Sequence, residues 1–212
     1  MIPAEAPPAL TQVAQRFSES TRGIVSFRMH RVFDARAGFS KRHEDLTLNG
    51  IYDDGTVVRV HVVSYSIDGK PAGLAAQTAV EQGWEHPKPG DVFAPPFDRR
   101  NFAAYQYQGD GPSKVDFTSS VRDAAHGDGT FSWDAQNNVV AYSYQPNALP
   151  PHASFGEITD RRAEVLPGYW AVTQELQSYK GTVGPFPGSG VVQLTFSDFR
   201  RFPDISSALN TL

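Results

Sequence analysis

The chain has 212 residues, a formal net charge of −4 and no cysteine, which excludes a disulfide framework, a thiolate metal site and a cysteine nucleophile. Its 40% hydrophobic, 12% aromatic and 20% charged content describes a globular chain with a sizeable core, not a disordered one, and the length suits one large β-rich domain over residues 1–212 better than two small ones. The acidic balance offers no broad basic field for gripping phosphates, so nucleic acid is not expected as a partner.

Residues 1–7 read as a flexible start. Met1-Ile2-Pro3-Ala4-Glu5-Ala6-Pro7-Pro8 lacks a basic and an apolar region of its own and resembles the Pro/Ala-rich beginning of a mature exported protein. The expectation is that Met1 stands where a signal peptide has been removed, the alternative being a native cytoplasmic start with a frayed tip. Leu10, Val13, Ala14 and Phe17 then share one helical face, and Ser18 to Gly23 end that helix. From Gly23 the period changes to two, with Val25, Phe27, Met29 and Phe33 on one face and Ser26, Arg28, His30 and Asp34 on the other. A second strand carries Leu46, Leu48 and Tyr52, Asp53-Asp54-Gly55 supplies hairpin chemistry, and a third strand presents Val58, Val60 and Val62 against Arg59, His61 and Tyr65. Asp68-Gly69 closes this meander.

Residues 71–82 are Ala-rich and predict a short lid helix, with Pro71 near its first turn and Gly83 past its end. Residues 84–100 follow as a loop whose Pro87, Pro89, Pro95 and Pro96 rule out a central strand, and whose Trp84, Phe93 and Phe97 predict an ordered lid. Strand patterns return over residues 102–108, 115–119, 129–133, 139–144, 154–165, 169–179 and 190–199, with a hairpin at 134–138. Trp170, Val172 and Leu176 are predicted to alternate with Tyr169, Thr173 and Glu175. Val192, Leu194 and Phe196 form another apolar face, and 181–190 reads as a Gly/Pro loop. No run of about 18 apolar residues occurs, so no membrane-spanning helix is expected.

The order of elements, together with Gly129-Thr-Phe-Ser-Trp-Asp-Ala-Gln-Asn-Asn-Val-Val-Ala-Tyr and Arg162-Ala-Glu-Val-Leu-Pro-Gly-Tyr-Trp170, resembles the LolA-like periplasmic lipoprotein-carrier superfamily. That group includes outer-membrane lipoprotein-sorting proteins. The proline-rich loop over 84–100 departs from its pattern. The resemblance implies a mainly β fold, an antiparallel open half-barrel with an N-terminal helix and a short lid helix over an apolar cavity that takes acyl chains. It also implies a periplasmic carrier or sensor whose partner is a lipid or lipidated protein, with an envelope protein as a further partner. The apolar candidates for such a cavity are Phe27, Met29, Leu48, Val60, Val62, Trp84, Phe93, Phe97, Trp133 and Trp170. The competing reading is that these side chains pack against one another as an ordinary core.

Chemistry beyond burial finds little support. The six histidines, His30, His43, His61, His86, His126 and His152, lack the spacing of a helical zinc site, although His30 and His61 are placed to meet across the polar face of neighbouring strands. Neither a metal nor a cofactor is expected. Pro187-Gly188-Ser189-Gly190-Val191 is not a nucleophile elbow. Glu157, Asp160 and Glu164 keep a carbohydrate-active hydrolase as a minor alternative, behind a non-catalytic envelope interaction module that uses the same fold without lipid. The pairs Arg99-Arg100, Arg161-Arg162 and Arg200-Arg201 read as solvated strand ends.

Overall fold

In the computed structural model, which describes residues 8–88, 92–149 and 151–212, the alternating segments pair into one antiparallel sheet. Helix α1 (Pro8–Ser20) precedes β1 (Ile24–Ala37), β2 (Ser40–Asp53), β3 (Thr56–Ile67) and the short β4 (Lys70–Pro71). Helix α2 (Leu74–Glu85) and a 3₁₀ turn (Arg99–Ala104) lead to β5 (Tyr105–Gly111), β6 (Lys114–Ser119), β7 (Gly127–Trp133) and β8 (Val139–Pro146). The chain ends with β9 (Ala153–Leu166), β10 (Tyr169–Val183), β11 (Phe186–Phe202) and α3 (Ile205–Leu209). Strand order is β4-β3-β2-β1-β11-β10-β9-β8-β7-β6-β5. The first strand thus pairs with the last, two meanders merge, and β4 and β5 are left as separate edges. This is the mainly β, open antiparallel half-barrel that the LolA-like resemblance implies. Residues 1–7 and Pro89 lie outside the described residues.

Two large core clusters pack under the helices, with a smaller third formed by Val25, Tyr169 and Ala171. Leu10 and Val13 of α1 pack with Phe97, Phe117, Phe131, Trp133 and Tyr144, while Val80 and Trp84 of α2 pack over Phe27, Met29, Leu46, Leu48, Val60 and Val62. Edge chemistry fixes α2. β4 pairs with β3 only through Ser66 and Ile67, so the amides of Val60 and Val62 need other acceptors. Glu85 and Glu81, one helical turn apart, supply them: Val60 N donates to Glu85 Oε1 at 3.0 Å and Val62 N to Glu81 Oε1 at 2.8 Å.

Those contacts explain why the helix differs from its predicted bounds. Pro71 lies in β4, Gly73 is the extended residue before the helix, and α2 continues through Gly83 so that Trp84 is helical and not part of the loop. Parity also differs where ladders slip. Val58 is 39% exposed because β3 has a register shift against Ile51 and Tyr52, which displaces it from the core face. On β10, shifts at Tyr169 and Trp170 and between Val172 and Gln174 turn Tyr169 and Ala171 inward and leave Leu176 exposed. The 181–190 segment is no loop: β10 and β11 pair through it, from Lys180 with Ser189 to Val183 with Phe186. Its glycines serve close approach, since a Cβ on Gly181 would lie 2.1 Å from the His152 carbonyl oxygen. α3, absent from the sequence reading, is capped by Asp204, whose carboxylate accepts from Ser207 N at 2.7 Å.

Candidate functional site

The apolar candidates are distributed over both layers. Phe27, Met29, Leu48, Val60 and Val62 are buried under α2, with Trp84 above them. Phe93, Phe97 and Trp133 belong to the α1 layer, where Phe93 stacks on Tyr144 with ring centroids 3.9 Å apart and Phe97 meets Phe17 edge-on at 4.9 Å. Trp170 is half-buried on β10, its carbonyl accepting from Arg162 at 2.8 Å. Arg162 is no solvated strand end, because its guanidinium lies 4.9 Å from the centre of the Phe17 ring.

An open space of about 810 Å³ lies elsewhere, where the hairpin tips of β1/β2 and β10/β11 meet the start of β9. Phe33, Ala35 and Ala37 contribute from β1, Tyr179 and Val183 from β10, and Phe186, Gly188 and Gly190 from β11. Small residues thus make a trough between aromatic walls. Its lining includes Arg36, Lys41, Arg42, Lys180 and His152 and no carboxylate. A loop over 181–190, as its Gly/Pro content predicts, would hide this groove, which exists because β10 and β11 pair through that segment. The available signal was the period-two run Phe33, Ala35, Ala37 ending at Phe39.

Beside the groove, Glu44 is 6% exposed and accepts from Arg31 and Arg42, each at 2.6 Å, and from the Tyr65 hydroxyl at 2.9 Å. Burial alone would raise its pKa, but the hydrogen bonds from Arg42 and Tyr65 and the charge of Arg31 outweigh it and hold the carboxyl below its usual range. A polar ladder runs along β10 from the groove. The Tyr179 hydroxyl donates to Gln177 Oε1 at 3.1 Å, and Gln177 Nε2 donates to Glu175 Oε1. Glu175 faces Asp160 directly across β9, and Tyr142 faces Asp160 from the other side. Asp160 is 2% exposed and its Oδ1 has no hydrogen-bond partner among the described residues. Burial, followed by the charge of Glu175, pushes Asp160 well above the usual carboxylate range, and burial raises Glu175 as well. Two such carboxyls side by side titrate as a pair, each disfavouring the charged form of the other.

The histidines do not converge. His30 and His61 lie on β1 and β3 with β2 between them, and each has a carboxylate partner: Asp45 at 3.2 Å and Glu81 at 3.4 Å, respectively. Among the described residues no three of His, Asp and Glu are grouped to hold a metal ion. Of the hydrolase candidates, Glu157 accepts from Ser143 at 3.3 Å and Glu164 from Gly168 N at 2.6 Å, apart from the buried Asp160.

No protein-family profile and no curated protein matches the sequence. Among solved structures, a domain from Vibrio parahaemolyticus described as an outer membrane lipoprotein-sorting protein domain superposes with a TM-score of 0.50 at 11% identity, over 92% of this chain and 93% of that one. The fold is LolA-like. A LolA superfamily protein from Nitrosomonas europaea matches at TM-score 0.40 and 10% identity over 96% and 99% of the two chains. A DUF1329 family protein from Desulfovibrio piger matches at 0.42 and 10% over 94% of each. The groove lies at the hairpin-tip end of the LolA-like sheet, and among the described residues no helix is long and apolar enough to cross a membrane.

Proposed function

We propose that this protein is a non-catalytic carrier or sensor of the cell envelope, exported to the periplasm, that binds a lipid or the acyl chains of a lipoprotein. The observation that carries this reading is the open, largely apolar groove of about 810 Å³ at the hairpin tips. Each methylene moved from water into it contributes about 0.8 kcal/mol, so about ten methylenes contribute about 8 kcal/mol against the entropy of association. The sorting role named for the Vibrio domain of the same fold agrees with such a ligand. In this reading the layer of Phe27, Met29, Leu48, Val60 and Val62 is the space that a longer chain reaches by displacing α2 and Trp84, while Phe93, Phe97, Trp133 and Trp170 line the neighbouring half.

The dense packing of that layer favours one other reading, an envelope interaction module without lipid. Native mass spectrometry of protein purified without detergent, combined with displacement of a fluorescent fatty acid, separates the two. A carrier retains or takes up an acyl ligand, and Ala35→Trp, which fills the groove, weakens uptake by about tenfold or more, as loss of two methylenes' burial requires. Absence of uptake by the unmodified protein would leave the interaction module.

A further inference from the structure

The largest exposed apolar side chains of the long hairpins collect at one end of the sheet. Phe39, at the β1/β2 turn, is 102% exposed, while Val183 and Phe186, flanking the β10/β11 turn, are 64% and 49% exposed. The two tips are neighbours, because a Cβ built on Gly38 would lie 3.1 Å from the Phe186 ring. Folding alone gives no reason for a phenylalanine to stand wholly in water at a turn. Around these tips the charge reverses relative to the whole chain. The chain carries −4, yet the groove between the tips is lined by Arg36, Lys41, Arg42 and Lys180 with no acid among its lining residues. The nearby carboxylates are engaged, Glu44 by Arg31 and Arg42 and Asp34 by His43 at 2.8 Å.

An aromatic tip with a collar of long cations suits one kind of surface: apolar rings enter the boundary of acyl chains and headgroups while Lys and Arg reach anionic headgroups. We propose that the paired hairpin tips dock on an anionic lipid bilayer, with Phe39, Phe186 and Val183 inserted and Lys41, Arg36 and Lys180 against the headgroups. The groove then opens toward the membrane, so a chain passes between bilayer and protein without crossing water. Docking goes beyond the carrier reading and does not depend on a carried ligand.

Co-sedimentation with phosphatidylcholine vesicles, with and without phosphatidylglycerol, tests it. The protein should bind the anionic vesicles, lose binding as salt rises, and bind neutral vesicles weakly. Each of Lys41→Gln and Lys180→Gln should weaken anionic binding about five-fold, and Phe39→Asp should abolish it while leaving the melting temperature unchanged, since Phe39 touches no core. Phe39→Trp should give a blue-shifted emission increment on adding anionic vesicles. Ala35→Trp should still bind vesicles, which separates failure of docking from failure of the acyl-ligand reading. Unchanged binding in Phe39→Asp and the lysine variants, or no binding to anionic vesicles, overturns the proposal. A concentration-dependent dimer that Phe39→Asp abolishes, without vesicle binding, would assign the tips to a second copy and overturn it too.

Discussion

Gly50 shows how a single side chain of one atom sets the local packing. Phe27 stacks on Tyr52 with ring centroids 4.3 Å apart, and it can do so because β2 presents a glycine beneath it: a Cβ there would lie 2.3 Å from Phe27 Cζ. Gly50→Ala is expected to lower stability by about 1–3 kcal/mol, read as a drop in urea midpoint at unchanged slope, because the ring must leave its rotamer. An unchanged midpoint would mean that the α2 layer is loose enough to absorb a methyl group, which would itself favour a cavity. The inward direction of Phe27 and Met29 was legible from alternation. The glycine's role was not, since its partner comes from a neighbouring strand. Trp170 and Leu176 show the complementary limit: their parity follows from register shifts on β10, and nothing in an alternating run says where a bulge falls.

α2 is where local pattern and tertiary demand diverge. Its alanines predict a helix, but its end is set by Glu81 and Glu85 reaching the β3 amides, so it continues past Gly83 despite a cost of about 1 kcal/mol for that residue. The helix is therefore a cover pinned to the sheet edge. Replacing both glutamates by glutamine keeps acceptors and should be mild. Glu81→Ala with Glu85→Ala leaves two edge amides unsatisfied and should cost about 1–3 kcal/mol for each. Hydrogen exchange should localise the effect, with Val60 and Val62 amides accelerated and the β9/β10 ladder unchanged. Acceleration confined to residues 86–98 instead would show that the loop, and not the glutamate pair, holds α2 down. The same logic explains the missed tip hairpin. Glycine and proline over 181–190 are turn signals in isolation, but here they permit two long strands to pass close to the His152 backbone.

At the scale of the whole molecule, two buried carboxyls on the same face of the sheet, on β2 and β9, pull stability in opposite directions with pH. The folded-state pKa of Glu44 is lowered, so its contribution is present above the unfolded value of about 4.3 and is lost as pH falls through the folded value. Asp160 is raised, so its contribution is complete below the unfolded value of about 3.9 and is lost as pH climbs toward the folded value and the buried carboxyl ionises beside Glu175. The expected melting temperature is therefore highest in mildly acidic solution, falling on both sides. Glu44→Gln should lower stability at neutral pH by about 1–3 kcal/mol, because it leaves Arg31 and Arg42 without their anion, and should flatten the acid limb. Asp160→Asn should flatten the other limb and raise stability at alkaline pH by on the order of 1 kcal/mol, since it removes a like-charge cross-strand pair. Because Tyr179 joins that pair to the groove through Gln177, the same melts repeated with a saturating fatty acid carry a second reading. If groove and pair are coupled, the alkaline limb shifts with ligand in the unmodified protein and stays fixed in Asp160→Asn. Identical ligand shifts in both would show that the ladder is structural support for β10 and transmits nothing from the groove.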